Sequence, residues 1–109
     1  MDPNATCTTL TIGSGTGIAT IKGVKLFTLT LSPASVLSGL TGEQTFTCTG
    51  LATTDQILSV TKPTAQAGLG IVGSRVVSAN TIGITFVNTT VLSILPTAAQ
   101  AYTVVALAF

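Results

Sequence analysis

Residues 24–31 read VKLFTLTL, with Phe27, Leu29 and Leu31 on one parity and Thr28 and Thr30 on the other. This is the period-two alternation of a strand with one buried face and one wet face. The same alternation returns in residues 43–49, EQTFTCT, where Phe46 and Cys48 oppose Thr45, Thr47 and Thr49. Elsewhere no stretch carries an amphipathic helical period, and residues 98–101 are too few to nucleate a helix. The pattern predicts an all-β chain.

Working outward, Ser32-Pro33 stops the first strand, and a loop holding Gly39 and Gly42 leads into the second. Residues 56–62, QILSVTK, predict a third, with Ile57 and Ser59 opposing Leu58 and Val60; it ends at Pro63, which cannot donate to a ladder. Residues 69–78 and 81–88 predict a hairpin, joined only by Ala79-Asn80 with an Asn tolerant of left-handed dihedrals. Gly73 and Gly83 lie inside these strands, where a missing side chain marks a bulge or a close approach of other atoms. Residues 91–95 predict a short strand ending at Pro96. Residues 101–109 predict a last one, with Tyr102, Val104 and Ala106 on one side and Val105, Leu107 and Phe109 on the other. Because both its sides are apolar, it belongs in the middle of a sandwich or at a subunit interface.

Six or seven short strands with turns between them predict one small antiparallel β-sandwich or barrel-like domain over residues 21–109. Residues 1–20 are Thr- and Gly-rich around Gly13-Ser14-Gly15-Thr16-Gly17 and predict an extended N-terminal arm, whose flanks at residues 8–12 and 18–21 pair as strands once docked. The length, 109 residues, suits a single core.

Only 6% of the residues are charged and 46% are hydrophobic, against roughly a quarter charged in ordinary domains. Such a surface is suited to burial against neighbours rather than to life as a free monomer. Lys22, Lys25, Lys62 and Arg75 form no basic stripe, so nucleic acid is not an expected partner. Residues 76–109 lack charge but are broken by Asn, Thr and Pro clusters, so no spanning helix is expected, and the N-terminus shows no secretory pattern. The expected folding compartment is a cytosol, where Cys7 and Cys48 are read as two reduced, packed thiols; the alternative is a bridge from the arm to a strand.

Catalytic chemistry has little to work with. The chain has no histidine, which removes the commonest general base and metal ligand together. Its three acids, Asp2, Glu43 and Asp55, are far apart in sequence, and the glycine run at residues 13–17 satisfies neither the P-loop nor the dinucleotide fingerprint. No cofactor, metal or small-molecule substrate is expected, and the chain is read as a non-enzyme. The sequons at Asn4 and Asn88 are chance occurrences in a Thr-rich chain. Phe27, Phe46, Phe86, Tyr102 and Phe109 are too spread for a carbohydrate platform, and three of them are expected to meet in the core.

Residues 52–102 bear a likeness to a known class. Thr54-Asp55-Gln56-Ile57, KPTAQAGLGIVGSRV at residues 62–76, SANTIGITFVN at residues 78–88, and Pro96-Thr97-Ala98 leading to Tyr102 resemble small tailed-bacteriophage virion proteins of the capsid decoration or cement type. The resemblance implies a β-rich subunit on the capsid surface, with the major capsid protein as partner and commonly a homotrimer at local threefold positions. The expected contacts are Thr8, Leu10, Ile12 and Ile18 of the arm, and Val105, Leu107 and Phe109 of the last strand. Alternatives are a fibre, head-spike or tail component, a surface binding module, or a membrane barrel; the last would need aromatic girdles that the chain lacks.

Overall fold

The structure, a computed structural model, describes residues 10–109. It is all-β, with eight strands: β1 (Leu10–Ile12), β2 (Ala19–Ile21), β3 (Gly23–Leu31), β4 (Thr41–Thr47), β5 (Gln56–Thr61), β6 (Leu69–Ser78), β7 (Thr81–Asn88) and β8 (Gln100–Ala108). Two three-stranded antiparallel sheets, β3-β8-β5 and β4-β7-β6, pack face to face, and β1 and β2 form a separate hairpin. No helix occurs among the described residues.

The core comes mainly from the two central strands. Ile82, Ile84 and Phe86 of β7 meet Tyr102, Val104 and Ala106 of β8, all fully buried. A central strand is flanked on both sides, so its inner face is sealed from water. The edge strands add partly covered Phe27, Leu29, Phe46, Ile57, Val60, Leu69, Ile71 and Val76 around that centre. Four of the five aromatics therefore belong to the core or pack against it, one more than the sequence suggested. Complete burial of a side chain the size of Phe86 stabilises by roughly 1.5–3 kcal/mol.

The β6–β7 hairpin has the bounds that the alternation and the Ala79-Asn80 turn predict, and Asn80 takes a φ of 61°. Its register slips between Ile71 and Gly73 and again between Val76 and Ser78. Three expectations need correction. β5 does not alternate throughout: its register slips between Ile57 and Ser59, so Ile57 and Val60 both approach the core while Leu58 and Ser59 both face water. Residues 91–95 form no strand, only a bridge of Ile94 to Val36, because Asn88 and Thr90 hold residues 88–92 in a side-chain-tied turn. The flanks of the glycine run pair with each other, Leu10 to Ile21 and Ile12 to Ala19, without a docked partner.

That hairpin lengthens the molecule. β2 continues into β3 through Lys22, whose N–H donates to the Ala108 carbonyl at 2.7 Å, so β1 and β2 lie beyond the last β3–β8 pair, Gly23 with Ala108. Gly13, Gly15 and Gly17 all adopt positive φ in its turn. The molecule measures 55 × 31 × 24 Å with a radius of gyration of 16.8 Å, above the roughly 13 Å expected for a compact domain of this length.

Candidate assembly surface

The two outer sheet faces differ in chemistry. On β3-β8-β5 the register sets Val24 beside Leu107 and Leu26 beside Val105, then Thr28 beside Thr103, with Thr61 next in the same row. Val24 is 67% exposed, Leu26 68%, and Leu58 in the β5 bulge 59%. On β3 and β8 the half of this face nearest the hairpin is thus aliphatic, with Gln56 and Ser59 of β5 completing those rows, and the far half is threonine. Val105 and Leu107, on the central strand of this sheet, are half-buried.

The outer side of β4-β7-β6 is mixed, with exposed Val72 and Val77 on β6, and it carries an ion pair. Glu43 of β4 and Arg75 of β6 reach across the central strand and form a bidentate pair, Nε to Oε2 at 2.7 Å and Nη2 to Oε1 at 2.8 Å. The pair passes over Gly83, where a Cβ would stand 2.8 Å from Glu43 Oε2 and 2.9 Å from Val77 Cγ2. Gly83 is therefore a close-approach glycine. The hydrogen bond from Arg75 lowers the Glu43 carboxyl below its ordinary value, and Glu43 raises Arg75 in return.

The predicted contact residues divide into three groups. Thr8 lies outside the described residues. Leu10 and Ile12 belong to β1, and Ile18 sits in the hairpin turn with 48% of its surface exposed. Val105 and Leu107 share the aliphatic half of the outer face, and Phe109 follows β8, half-buried. Sequence reasoning missed Val24, Leu26 and Leu58. Val24 and Leu26 have the parity of Thr28 and Thr30, so the first strand already showed that its wet face is half aliphatic. Leu58 had no such signal, since only the bulge turns it outward.

Lys25, Asp55 and Lys62 are spent on closing loops. Lys25 points to the inner side of β3 and donates to Asp55 Oδ2 at 2.7 Å and to the Gly50 carbonyl at 3.0 Å, while Ala52 N–H donates to the same carboxylate oxygen at 2.8 Å. Burial pushes the Asp55 carboxyl up, but the Lys25 hydrogen bond, the Ala52 amide and the Lys25 charge outweigh it, and the net shift is downward. Cys48 is fully buried, and desolvation raises its thiol despite nearby Lys25; Cys7 lies outside the described residues. Lys62 donates to the Thr64 carbonyl at 2.7 Å beside an open depression of about 210 Å³ that includes Gln66, Leu69 and Phe86. No group of three or more metal-ligating side chains occurs among the described residues.

No family model matches the chain, and no curated protein or solved structure matches it.

Proposed function

We propose that the chain is a non-enzymatic structural subunit of a bacteriophage virion that decorates the capsid surface, with the major capsid protein as its partner. The observation that carries the reading is the aliphatic half of the β3-β8-β5 outer face, lying beside a hairpin that overhangs the body. An exposed aliphatic surface of this kind marks an interaction site. A two-stranded hairpin, marginal alone in water, gains order when docked on another protein. The virion setting rests on the resemblance of residues 52–102. Many copies on a shell would turn weak individual contacts into a stable lattice through multivalency.

The test mixes purified protein with capsids that lack it and counts bound copies after sedimentation, using the full chain and a chain without residues 1–20. Saturable binding at a fixed ratio to the capsid subunit, lost on truncation, is the expected result. Absence of binding to capsids, with the protein fractionating instead with tails or fibres, would overturn the capsid assignment in favour of another virion location.

A further inference from the structure

Two lysines stand in the inward phase of the β3-β8-β5 sheet. Lys25 is on β3 in the phase of Phe27, and Lys62 follows β5 in the phase of Val60, the partner of buried Val104. A lysine in such a place is stabilised by an anion. Lys25 has the Asp55 carboxylate at 2.7 Å. Lys62 is half-buried and has only the carbonyl and hydroxyl of Thr64, at 2.7 and 3.3 Å. No carboxylate pairs with it among the described residues, whose ion pairs are Lys25 with Asp55 and Arg75 with Glu43. Lys62 lines the open depression of about 210 Å³ beside the ends of β5 and β6, together with apolar Ala65, Leu69, Ile71 and Phe86. The walls are fixed without a ligand. Gln66 accepts from Thr97 N–H at 2.9 Å and donates to the Leu95 carbonyl at 3.1 Å, and Gln100 Nε2 donates to Thr64 Oγ1 at 2.7 Å. Walls set in advance reduce the ordering cost of binding.

We propose that this depression binds a small carboxylic acid, held as its carboxylate by Lys62 with its apolar body against Leu69, Ile71 and Phe86. An ammonium has three N–H donors; Thr64 takes two of them, and the third serves an anion. A hydrogen bond between ions is roughly twice as strong as one between neutral groups, and the partial burial of Lys62 weakens screening by salt. An inorganic anion lacks the apolar body and an alcohol lacks the charge, so neither uses both halves of the site. A volume of about 210 Å³ falls below the roughly 300–1,000 Å³ of pockets for drug-sized ligands, which limits the acid to a short aliphatic chain or a single ring. Lys62 lies beyond the Thr61–Thr103 pair, at the end of the sheet away from the hairpin, so the site is separate from the proposed assembly surface and does not depend on it.

Titration of the full chain with hexanoate near neutral pH, followed by amide NMR, tests this directly. Saturable shifts centred on residues 62–71 and Phe86 are expected, with a dissociation constant of roughly millimolar order. Hexanol, the same body without the charge, is expected to bind at least about tenfold more weakly. Lys62→Gln is expected to reduce hexanoate to the level of hexanol. Ala65→Phe, at an exposed position of the lining, fills the apolar half and is expected to abolish binding of both. Lys22→Gln, which removes an exposed lysine outside the depression, is expected to change nothing. Spectra of the free variants report whether the fold is kept; if Lys62→Gln unfolds, the comparison of hexanoate with hexanol on the wild-type chain decides alone. Absence of saturation, equal binding of hexanol, undiminished binding by a folded Lys62→Gln variant, or shifts centred elsewhere would each overturn the proposal.

Discussion

Asn88 ends β7 with its side chain buried among three segments. Its Nδ2 donates to the Val36 carbonyl at 2.9 Å and to the Leu92 carbonyl at 2.8 Å, while its Oδ1 accepts from Thr90 N–H and Oγ1 at 2.8 and 2.7 Å. It therefore fastens the crossing of the 32–40 and 89–96 segments over one end of the sandwich. In the sequence the residue showed only as the head of a sequon, because a partner 52 positions away leaves no local pattern. Replacing Asn88 with Ala removes these bonds and leaves Thr90 N–H without its acceptor, while the Val36 carbonyl keeps Ile94 N–H and the Leu92 carbonyl keeps Thr90 Oγ1; chemical denaturation should show a loss of roughly 2–4 kcal/mol. A loss within error of zero would mean that water substitutes for the amide. Gly68 is a second such position. Its φ is +79°, and an added Cβ would meet Thr90 Cγ2 at 2.2 Å, so Gly68→Ala combines left-handed strain with overpacking. An expected cost of about 2–4 kcal/mol, read from the same denaturation curves, checks that account; a neutral variant would show that the loop shifts freely.

At the scale of elements, the strands whose neighbours are close in sequence were the legible ones. β6 and β7 follow from two alternating runs and a two-residue turn, and β3 follows from one run. β5 was misassigned in phase because one inserted residue exchanges inner and outer faces after Ile57, and period counting does not detect where a bulge falls. The supposed strand over residues 91–95 had apolar residues but no ladder to join, since Asn88 had already committed the backbone to a turn. The β1–β2 hairpin was read as an arm from its glycines, and its overhang beyond Ala108 gives that reading a physical consequence. Short strands paired only with each other open at little cost, whereas central strands open only when the whole domain unfolds. Amide exchange should therefore be fast across Leu10–Ile12 and Ala19–Ile21 and slowest in β7 and β8. Removal of residues 1–20 should leave the melting temperature unchanged. Protection of the hairpin equal to that of β8 in the isolated monomer would show that it is part of the folded body and not an arm.

For the molecule as a whole, scarcity of charge was plain from the sequence, but the use of each charge was not: Lys25 with Asp55 and Arg75 with Glu43 are 30 and 32 residues apart. These pairs, with two buried weak acids, decide how stability follows pH. Asp55 and Glu43 both have lowered folded pKa values, so the unfolded chain binds protons first as the solution is acidified. Their contribution is complete above the ordinary carboxyl range, near pH 4, and is lost as pH falls through the folded values. Cys48 and Tyr102 are raised by burial, which reverses the sign. Their contribution is complete below the ordinary thiol and phenol values, from about pH 8.5 to 10, and is lost as pH rises through the folded ones. With no histidine in the chain, no side chain of ordinary pKa titrates between these limits. Melting temperature against pH should form a plateau from about pH 5 to 8, falling on either side. Lys25→Met should diminish the acid-side fall, because the Asp55 carboxyl then loses the partner that holds its pKa down. A step inside the plateau, or an acid limb indifferent to Lys25→Met, would show that the Lys25–Asp55 pair does not govern the acid response.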